Sequence, residues 1–115
     1  MKNDLRLRTK VFALEVIRLY GSLPKDTVSQ VLGRQMLRAG TSVGANYREG
    51  NRARSKAEFI AKMGDCLKEA DETLYWLELL DEEKLLRDER GPKLLNEADQ
   101  LVSIFTAILK SSKGE

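Results

Sequence analysis

Residues 41–50 read TSVGANYREG and lie in the middle of a long helical pattern. The two glycines of this stretch add backbone entropy to a helix, and its threonine, serine and asparagine compete for the backbone hydrogen bonds. A helix that keeps such residues must recover the lost stability through other contacts. The stretch therefore predicts either close packing of a neighbouring helix over the glycines or a polar contact from Ser42, Asn46 or Glu49.

Four segments of the chain repeat apolar residues at intervals of three and four, which is the period of an amphipathic α-helix. The helices are predicted over residues 5–20, 27–50, 55–82 and 92–110. Short polar connections between them predict an all-α, antiparallel up-down-up-down four-helix bundle. Because the chain has 115 residues, one domain over residues 1–115 is expected.

Several residues carry the usual signals for helix ends. Thr27-x-x-Gln30 and Ser55-x-x-Glu58 match the capping box, in which a hydroxyl and an acidic or amide side chain satisfy the first backbone N–H groups. The remaining predicted signals are Asn3 as an N-cap, Gly21 as a C-terminal stop and Pro92 in a first turn.

The first helix carries two apolar stripes, where a surface helix needs one. The first stripe holds Leu5, Phe12, Val16 and Leu19, and the second holds Leu7, Val11, Leu14 and Ile17. Such a helix must be covered on two sides, so this segment predicts a contact between subunits. The second helix is predicted to bury Val28, Val31, Leu32, Met36, Ala39 and Val43.

The composition argues against an enzyme and against a metal site. The chain has no histidine, which removes the commonest general base near neutral pH and the Glu-x-x-His pairs of di-iron bundles. Its one cysteine, Cys66, cannot form a disulfide within the chain and is expected to be a buried free thiol. No nucleotide-binding motif is present. We therefore expect no catalytic residue, no metal and no cofactor.

Positive and negative charges are separated along the chain. Residues 1–56 hold twelve Lys/Arg and four Asp/Glu, a net +8, whereas residues 57–115 hold eight and fourteen, a net −6. This asymmetry fits a basic face that binds a polyanion, and it also fits oppositely charged faces that meet on folding or assembly. Both interpretations remain open.

The basic residues are the strongest functional signal in the sequence. The predicted nucleic-acid-binding residues are Arg34, Arg38, Arg48, Arg52 and Arg54, and a further basic group, Arg6, Arg8 and Lys10, leads the first helix. Arginines with few aromatic neighbours favour phosphate contacts over base stacking, so RNA or DNA is a candidate partner. The alternative is a solvated face with salt bridges to the acidic third helix.

A polar stripe follows the second helix at helical spacing. It holds Gln35, Arg38, Ser42, Asn46 and Glu49. We interpret Gln35, Ser42, Asn46 and Glu49 as a structural network of hydrogen bonds between helices. A ligand or subunit contact is the alternative. Tyr47 and the pair Tyr75-Trp76 are candidates for either the core or an interface.

The first residues of the chain and its apolar runs bear on location. The N-terminus, MKNDLRLRTK, lacks the apolar segment of a signal peptide, and no apolar run approaches the ~18–20 residues of a membrane span. A cytoplasmic protein with no membrane partner is expected.

Residues 35–50, QMLRAGTSVGANYREG, resemble the 23S rRNA intervening-sequence protein family, also called the four-helix-bundle protein family. The resemblance rests on Gln35, Arg38, Thr41-Ser42, Asn46 and Glu49-Gly50, followed by Arg54-Ser55-x-x-Glu58-Phe59 and Leu67-x-Glu69-Ala70. It extends from about Leu7 to Lys110.

The resemblance implies more about fold and assembly than about activity. Family members are similar to bacterial up-down four-helix bundles that assemble as homopentamers, and some are encoded within intervening sequences of ribosomal RNA genes. A structurally similar accessory protein of diversity-generating retroelements forms a basic pentameric ring that binds nucleic acid. The resemblance thus implies a non-enzymatic homo-oligomer with RNA favoured as ligand. A structural or adaptor oligomer that binds a protein and no nucleic acid is the alternative.

Overall fold

Four α-helices account for most of the chain in a computed structural model, which describes the backbone of residues 4–114 and the side chains of residues 5–114. They are α1 (Asp4–Ser22), α2 (Thr27–Asn51), α3 (Lys56–Glu82) and α4 (Arg90–Ser112). No strand occurs among the described residues. The predicted all-α class is therefore confirmed, and the predicted helix limits differ from the observed ones by no more than two residues.

Each helix packs against the next one in the chain, and α1 closes the bundle against α4 through a smaller contact. The pairing is antiparallel because contacts that advance along one helix recede along its neighbour. On α1 and α2, Thr9 lies beside Gly44 and Val16 lies beside Gly40. Between α1 and α4, Arg8 bonds to Glu97 and the later Glu15 pairs with the earlier Arg90. The molecule measures 45 × 24 × 23 Å, which is the shape of an up-down-up-down bundle.

The core follows the predicted apolar stripes. Its largest fully buried side chains are Phe12, Val16, Leu19, Met36, Val43, Met63, Leu77, Leu80, Leu101 and Phe105. Burying one such side chain stabilises the folded chain by about 1.5–3 kcal/mol. Tyr47 also belongs to the core, where its ring centroid lies 6.1 Å from that of Phe105.

Glycines on α2 allow its neighbours to approach closely. An alanine β-carbon at Gly40 would lie 2.8 Å from Val16 Cγ2, and one at Gly44 would lie 3.1 Å from Thr9 Oγ1. A β-carbon at Gly50 would come closer still to the end of the Met63 side chain of α3. Residues 41–50 are expected to offset their poor helix propensity either by close packing over the glycines or by a polar contact. At the glycines, the close packing of a neighbouring helix is observed.

The start of α2 differs from the predicted capping box. The N-cap is Asp26, whose Oδ1 accepts a hydrogen bond from Ser29 N at 2.9 Å, so Thr27 is the first helical residue. Gln30 does not reach back to the cap, because its Nε2 donates to Pro24 O and its Oε1 accepts from Tyr20 Oη. A carboxylate one residue earlier replaces the predicted threonine.

The other helix ends are closer to expectation. Ser55 caps α3 and accepts a hydrogen bond from Glu58 N at 3.0 Å, as predicted. Pro92 lies in the first turn of α4, which begins at Arg90. Gly21 does not end α1, because the helix continues through Ser22. The predicted Asn3 cap lies outside the described residues.

The two apolar stripes of α1 differ in their exposure to solvent. The first stripe is buried from Phe12 onward, whereas the second stripe is exposed to solvent along its length. The prediction that Val28 and Val31 are buried is wrong: they are 56% and 49% exposed. Both valines lie near the start of α2 and turn outward because the bundle covers the opposite face of that helix.

Candidate nucleic-acid interface

The five predicted arginines do not form one cluster. Arg34 and Arg52 are separated by 18 residues of α2, or about 27 Å at 1.5 Å per residue. Because the helices are antiparallel, Arg34 lies toward the end that holds the 23–26 and 83–89 connections. Arg48, Arg52 and Arg54 lie toward the opposite end, beside the first turn of α1 and the last turn of α4.

Arg38 is neutralised by the acidic side of α3. Its Nη2 donates to Glu72 Oε2 at 2.8 Å, and its Nη1 lies 3.5 Å from Glu69 Oε1. That Glu69 oxygen is buried and has no hydrogen-bond partner among the described atoms, so the Arg38 charge is its main compensation. An arginine held in this way contributes little positive potential to a phosphate-binding surface.

Arg48 lies in a basic groove between α1 and α2. Arg6, Leu7 and Lys10 line one part of the groove together with Arg48, in a depression of about 400 Å³. A second part, of about 350 Å³, has a floor of small side chains: Thr9, Ala13, Thr41, Gly44 and Ala45. Small residues on the floor let a phosphate approach the two helices between the long cationic side chains.

The cations of this groove lack acidic partners within the described chain. No described carboxylate lies within salt-bridge distance of Lys10 or Arg48. Arg8, the other basic residue of this region, turns away toward α4, where Glu97 accepts hydrogen bonds from its Nε at 2.6 Å and its Nη2 at 2.8 Å. The hydrogen bond to Glu97 raises the pKa of Arg8.

Arg52 and Arg54 extend the basic surface beyond α2. Arg52 is the C-cap residue of α2 and lies one helical turn after Arg48, on the same side of the helix. Arg54 is exposed in the 52–55 connection, directly before the α3 cap Ser55. We name Arg6, Lys10, Arg48, Arg52 and Arg54 the basic end.

The polar stripe of α2 bonds in two different ways. Two of its residues reach α3: Arg38 pairs with Glu72, and Glu49 pairs with Lys62, whose Nζ lies 2.6 Å from Glu49 Oε1. The hydrogen bond to Glu49 raises the pKa of Lys62. Gln35 is exposed on the groove between α2 and α3.

The middle of the stripe bonds within its own helix. Ser42 Oγ donates to Arg38 O at 2.7 Å, and Asn46 Nδ2 donates to Ser42 O at 3.0 Å. Hydrogen bonds of this kind satisfy the serine and asparagine side chains within α2 itself. They offset the cost of placing these residues in a helix, and they do not link two helices. The contacts of the stripe with α3 are therefore the ion pairs made by Arg38 and Glu49.

Sequence reasoning noted Arg6 and Lys10 but did not place them beside Arg48. The signal that could have done so is the antiparallel pairing itself. Once Thr9 is set against Gly44, residues 6 and 10 of α1 fall on the same level as residue 48 of α2. That register is absent from the local periodicity on which the helices were predicted.

Cys66 and the acidic side chains form no metal site among the described residues. No group of three or more cysteine, aspartate or glutamate side chains is positioned there to hold an ion. Cys66 is buried, and its Sγ donates to Val43 O at 3.6 Å. Burial raises the pKa of its thiol to about 12, so the nucleophilic thiolate is disfavoured.

The fold and this surface define a class: an all-α, up-down four-helix bundle that gathers at one end cations without an acidic partner among the described residues. The chain belongs to the 23S rRNA-intervening sequence protein family, whose model matches residues 2–107. The resemblance seen at residues 35–50 is thereby confirmed.

A solved structure supports the same assignment. The chain is 37% identical to a protein of unknown function from the S23 ribosomal protein family of Bacteroides thetaiotaomicron, with a TM-score of 0.84. The match covers 92% of this chain and 98% of that one. None of the curated proteins matches the chain. None of the described helices has both the length and the apolar character needed to cross a membrane.

Proposed function

We propose that the chain is the subunit of a non-enzymatic, cytoplasmic homo-oligomer that binds nucleic acid, RNA in preference to DNA, through the basic end. The pentamer implied by the family resemblance is the proposed stoichiometry. RNA is preferred because the family to which the chain belongs is described by a ribosomal RNA intervening sequence. The Arg48 side of the basic end is the proposed phosphate-binding surface.

One observation carries this proposal: the cations of α1 and α2 are unevenly neutralised. Arg38 and Arg8 have carboxylate partners, whereas Lys10 and Arg48 have none among the described residues. An unpaired cation on a polar groove attracts phosphate and releases the counterions condensed on the nucleic acid. In an assembly of several copies, each copy adds its basic end to the total, which strengthens binding to a long strand.

The test compares two double variants with the same change of net charge. Arg52→Glu with Arg54→Glu reverses two cations at the basic end. Lys25→Glu with Lys84→Glu reverses two exposed lysines in the connections at the opposite end. Fluorescence anisotropy of a labelled single-stranded RNA, with light-scattering mass measured in the same low-salt buffer, reports both affinity and assembly.

We expect the Arg52/Arg54 variant to lose about tenfold or more in affinity while its mass stays that of the wild type. The lysine control is expected to lose much less, because only the long-range field changes. Equal losses in both variants would show that net charge alone drives binding and that the basic end is not a site. Unchanged affinity in the Arg52/Arg54 variant would remove both arginines from the interface.

A second candidate function is a structural or adaptor homo-oligomer that binds a protein and no nucleic acid. The exposed apolar stripe of α1 favours it, since Leu7, Val11 and Ile17 are 64%, 48% and 47% exposed. Apolar patches of this kind mark protein contacts. An intact oligomer that leaves RNA and DNA anisotropy unchanged at low salt would select this function over the first.

A further inference from the structure

The exposed apolar residues of the described chain fall into two separate patches. The first, the α1 stripe, consists of Leu7, Val11, Leu14 and Ile17 on the outward face of α1. The second, the α2/α3 patch, consists of Val28, Val31 and Tyr75. The two patches lie on different faces of the bundle, since α1 packs beside α2 and α4 and lies diagonally across the bundle from α3.

We infer that the α1 stripe of one copy docks against the α2/α3 patch of the next copy. This inference rests on the homo-oligomer of the proposed function and deepens it by naming the two surfaces that meet.

The α2/α3 patch borders a groove that fits the side chains of a helix. The groove has a volume of about 570 Å³, and its apolar lining of Leu74, Tyr75 and Trp76 is bordered by the charged side chains of Arg38, Asp71, Glu72 and Glu78. The Tyr75 and Trp76 rings meet edge to face with centroids 5.1 Å apart, and Tyr75 is 53% exposed. Val31 lies one helical turn before Gln35 on the same side of α2, so it continues the apolar surface.

The α1 stripe presents a continuous apolar ridge for such a groove. Leu7, Val11 and Leu14 are spaced by four and three residues, which is the spacing of a seam between packed helices. The ridge is 39–64% exposed along its length. The α1 stripe is exposed in the single chain, and the α2/α3 patch of a second copy buries it on docking.

The charges around the two surfaces are opposite. Lys10, which also borders the basic groove, lies on the same outward face as the α1 stripe, one turn from Leu7. Arg18, one turn from Leu14 on that face, is paired with Glu15 at 2.7 Å. Asp71 and Glu78 line the groove and have no cation within salt-bridge distance among the described residues. A second copy of this chain therefore supplies both the apolar ridge and the basic flank that the groove matches. Such complementarity selects the partner and its orientation.

Two different surfaces that bind each other make a heterologous contact. A contact of this type repeats from copy to copy, and it closes into a ring when the rotation between copies permits. A contact between two α1 stripes would instead be isologous and would stop at a dimer. The two cases differ in what happens when differently damaged copies are mixed.

The experiment uses one variant for each surface and a matched control. Val11→Asp with Leu14→Asp damages the α1 stripe, and Val31→Asp with Tyr75→Asp damages the α2/α3 patch. Ser103→Asp with Ala107→Asp adds the same charge to exposed positions of α4 as a control. Light-scattering mass is measured for each full-length protein, and a thermal melt by circular dichroism checks that each one folds.

We expect the control to keep the wild-type mass and each damaged variant alone to be a monomer of 13.0 kDa. An equimolar mixture of the two damaged variants should give a dimer of twice that mass, because each pair retains one intact contact. A mixture that stays monomeric, or an α2/α3 variant that keeps the wild-type mass, would overturn the pairing. A monomeric wild type would instead overturn the homo-oligomer of the proposed function, which distinguishes the two failures.

Discussion

The backbone of α2 at Gly40 lies directly against the side chain of Val16 on α1. A β-carbon built at Gly40 falls 2.8 Å and 2.9 Å from the two γ-methyl groups of Val16. Valine has one strongly preferred rotamer in a helix, so these methyl groups cannot turn aside. The glycine therefore sets the distance between α1 and α2.

Gly40→Ala should lower the free energy of unfolding by about 1–3 kcal/mol, because overpacking outweighs the gain in helix propensity. Gly64 provides a control, since it lies inside α3 with no atom within 4 Å of an added β-carbon. Gly64→Ala should stabilise the protein by about 0.5–1 kcal/mol. Urea unfolding measures both changes. A Gly40→Ala protein as stable as Gly64→Ala would show that α1 and α2 are not closely packed at this point.

Cys66 should make stability depend on alkaline pH. Burial raises the pKa of this thiol to about 12, from an ordinary value of 9.0. Its contribution to stability is fully present below pH 9 and is lost as the pH rises toward 12, because only the unfolded chain ionises there. Within that window the loss approaches about 1.4 kcal/mol per pH unit.

Cys66→Ala isolates this effect from the titration of lysines and tyrosines. The difference in unfolding free energy between wild type and variant should be constant below pH 9 and should shrink above it. The same burial predicts that a thiol reagent labels Cys66 only after unfolding. Rapid labelling of the folded protein would mean that the α2–α3 contact opens at this residue.

Asp26, the N-cap of α2, should matter more than its neighbour Thr27. Hydrogen bonds from the backbone N–H and the hydroxyl of Ser29 lower the pKa of the Asp26 carboxyl. Its contribution to stability is therefore present above its ordinary pKa, about 4, and is lost as the pH falls through the lowered value. Asp26→Ala should lower the melting temperature at pH 7, and Thr27→Ala should leave it nearly unchanged. A larger fall in melting temperature for Thr27→Ala than for Asp26→Ala would show that Thr27 is the N-cap, as the sequence pattern predicts.

The arginines should differ in their effect on nucleic-acid binding. Arg48→Gln removes a cation of the basic end that has no carboxylate partner among the described residues, whereas Arg38→Gln removes one that Glu72 already neutralises. For a single strand, the plot of log affinity against log salt should become shallower by about 0.7 for the lost Arg48 contact. The slope for Arg38→Gln should match that of the wild type. Equal slopes for both variants would place Arg48 outside the interface.

Asn46→Ala tests how the middle of the polar stripe contributes to stability. Asn46 is half-buried, and its side chain bonds to a carbonyl of its own helix. Its loss should therefore cost less than about 1 kcal/mol, below the range expected when a buried partner is left unpaired. A larger loss in urea unfolding, accompanied by a fall in light-scattering mass, would place Asn46 at a subunit contact.

The sequence was sufficient for the helices but not for the register between them. The two apolar stripes of α1, the Ser55 cap and the position of Pro92 all follow from local patterns. The hydroxyl-x-x-amide pattern predicts Thr27 as the cap of α2, but it does not reveal that Gln30 bonds to Pro24 and Tyr20 instead. Which hydrogen-bond partner Gln30 takes depends on the path of the preceding turn, and the local sequence pattern does not contain that path.

The candidate site was harder to predict for a related reason. Arginines at helical spacing on α2 are similar in sequence, but the acidic side of α3 neutralises Arg38, whereas no described carboxylate pairs with Arg48. Likewise, Val28 and Val31 fit the apolar period of α2 and yet lie outside the core. Both outcomes depend on which helix lies opposite each face, and the period of one helix does not contain that information.

The most direct measurement is the anisotropy of a labelled single-stranded RNA titrated with the wild-type protein at ~50 mM and ~200 mM salt, the range over which phosphate contacts change affinity most steeply. Light-scattering mass is measured in the same two buffers. We expect an intact oligomer to bind the RNA and to lose affinity steeply between the two salt concentrations. An intact oligomer that leaves the anisotropy unchanged at ~50 mM salt would contradict nucleic-acid binding by the basic end.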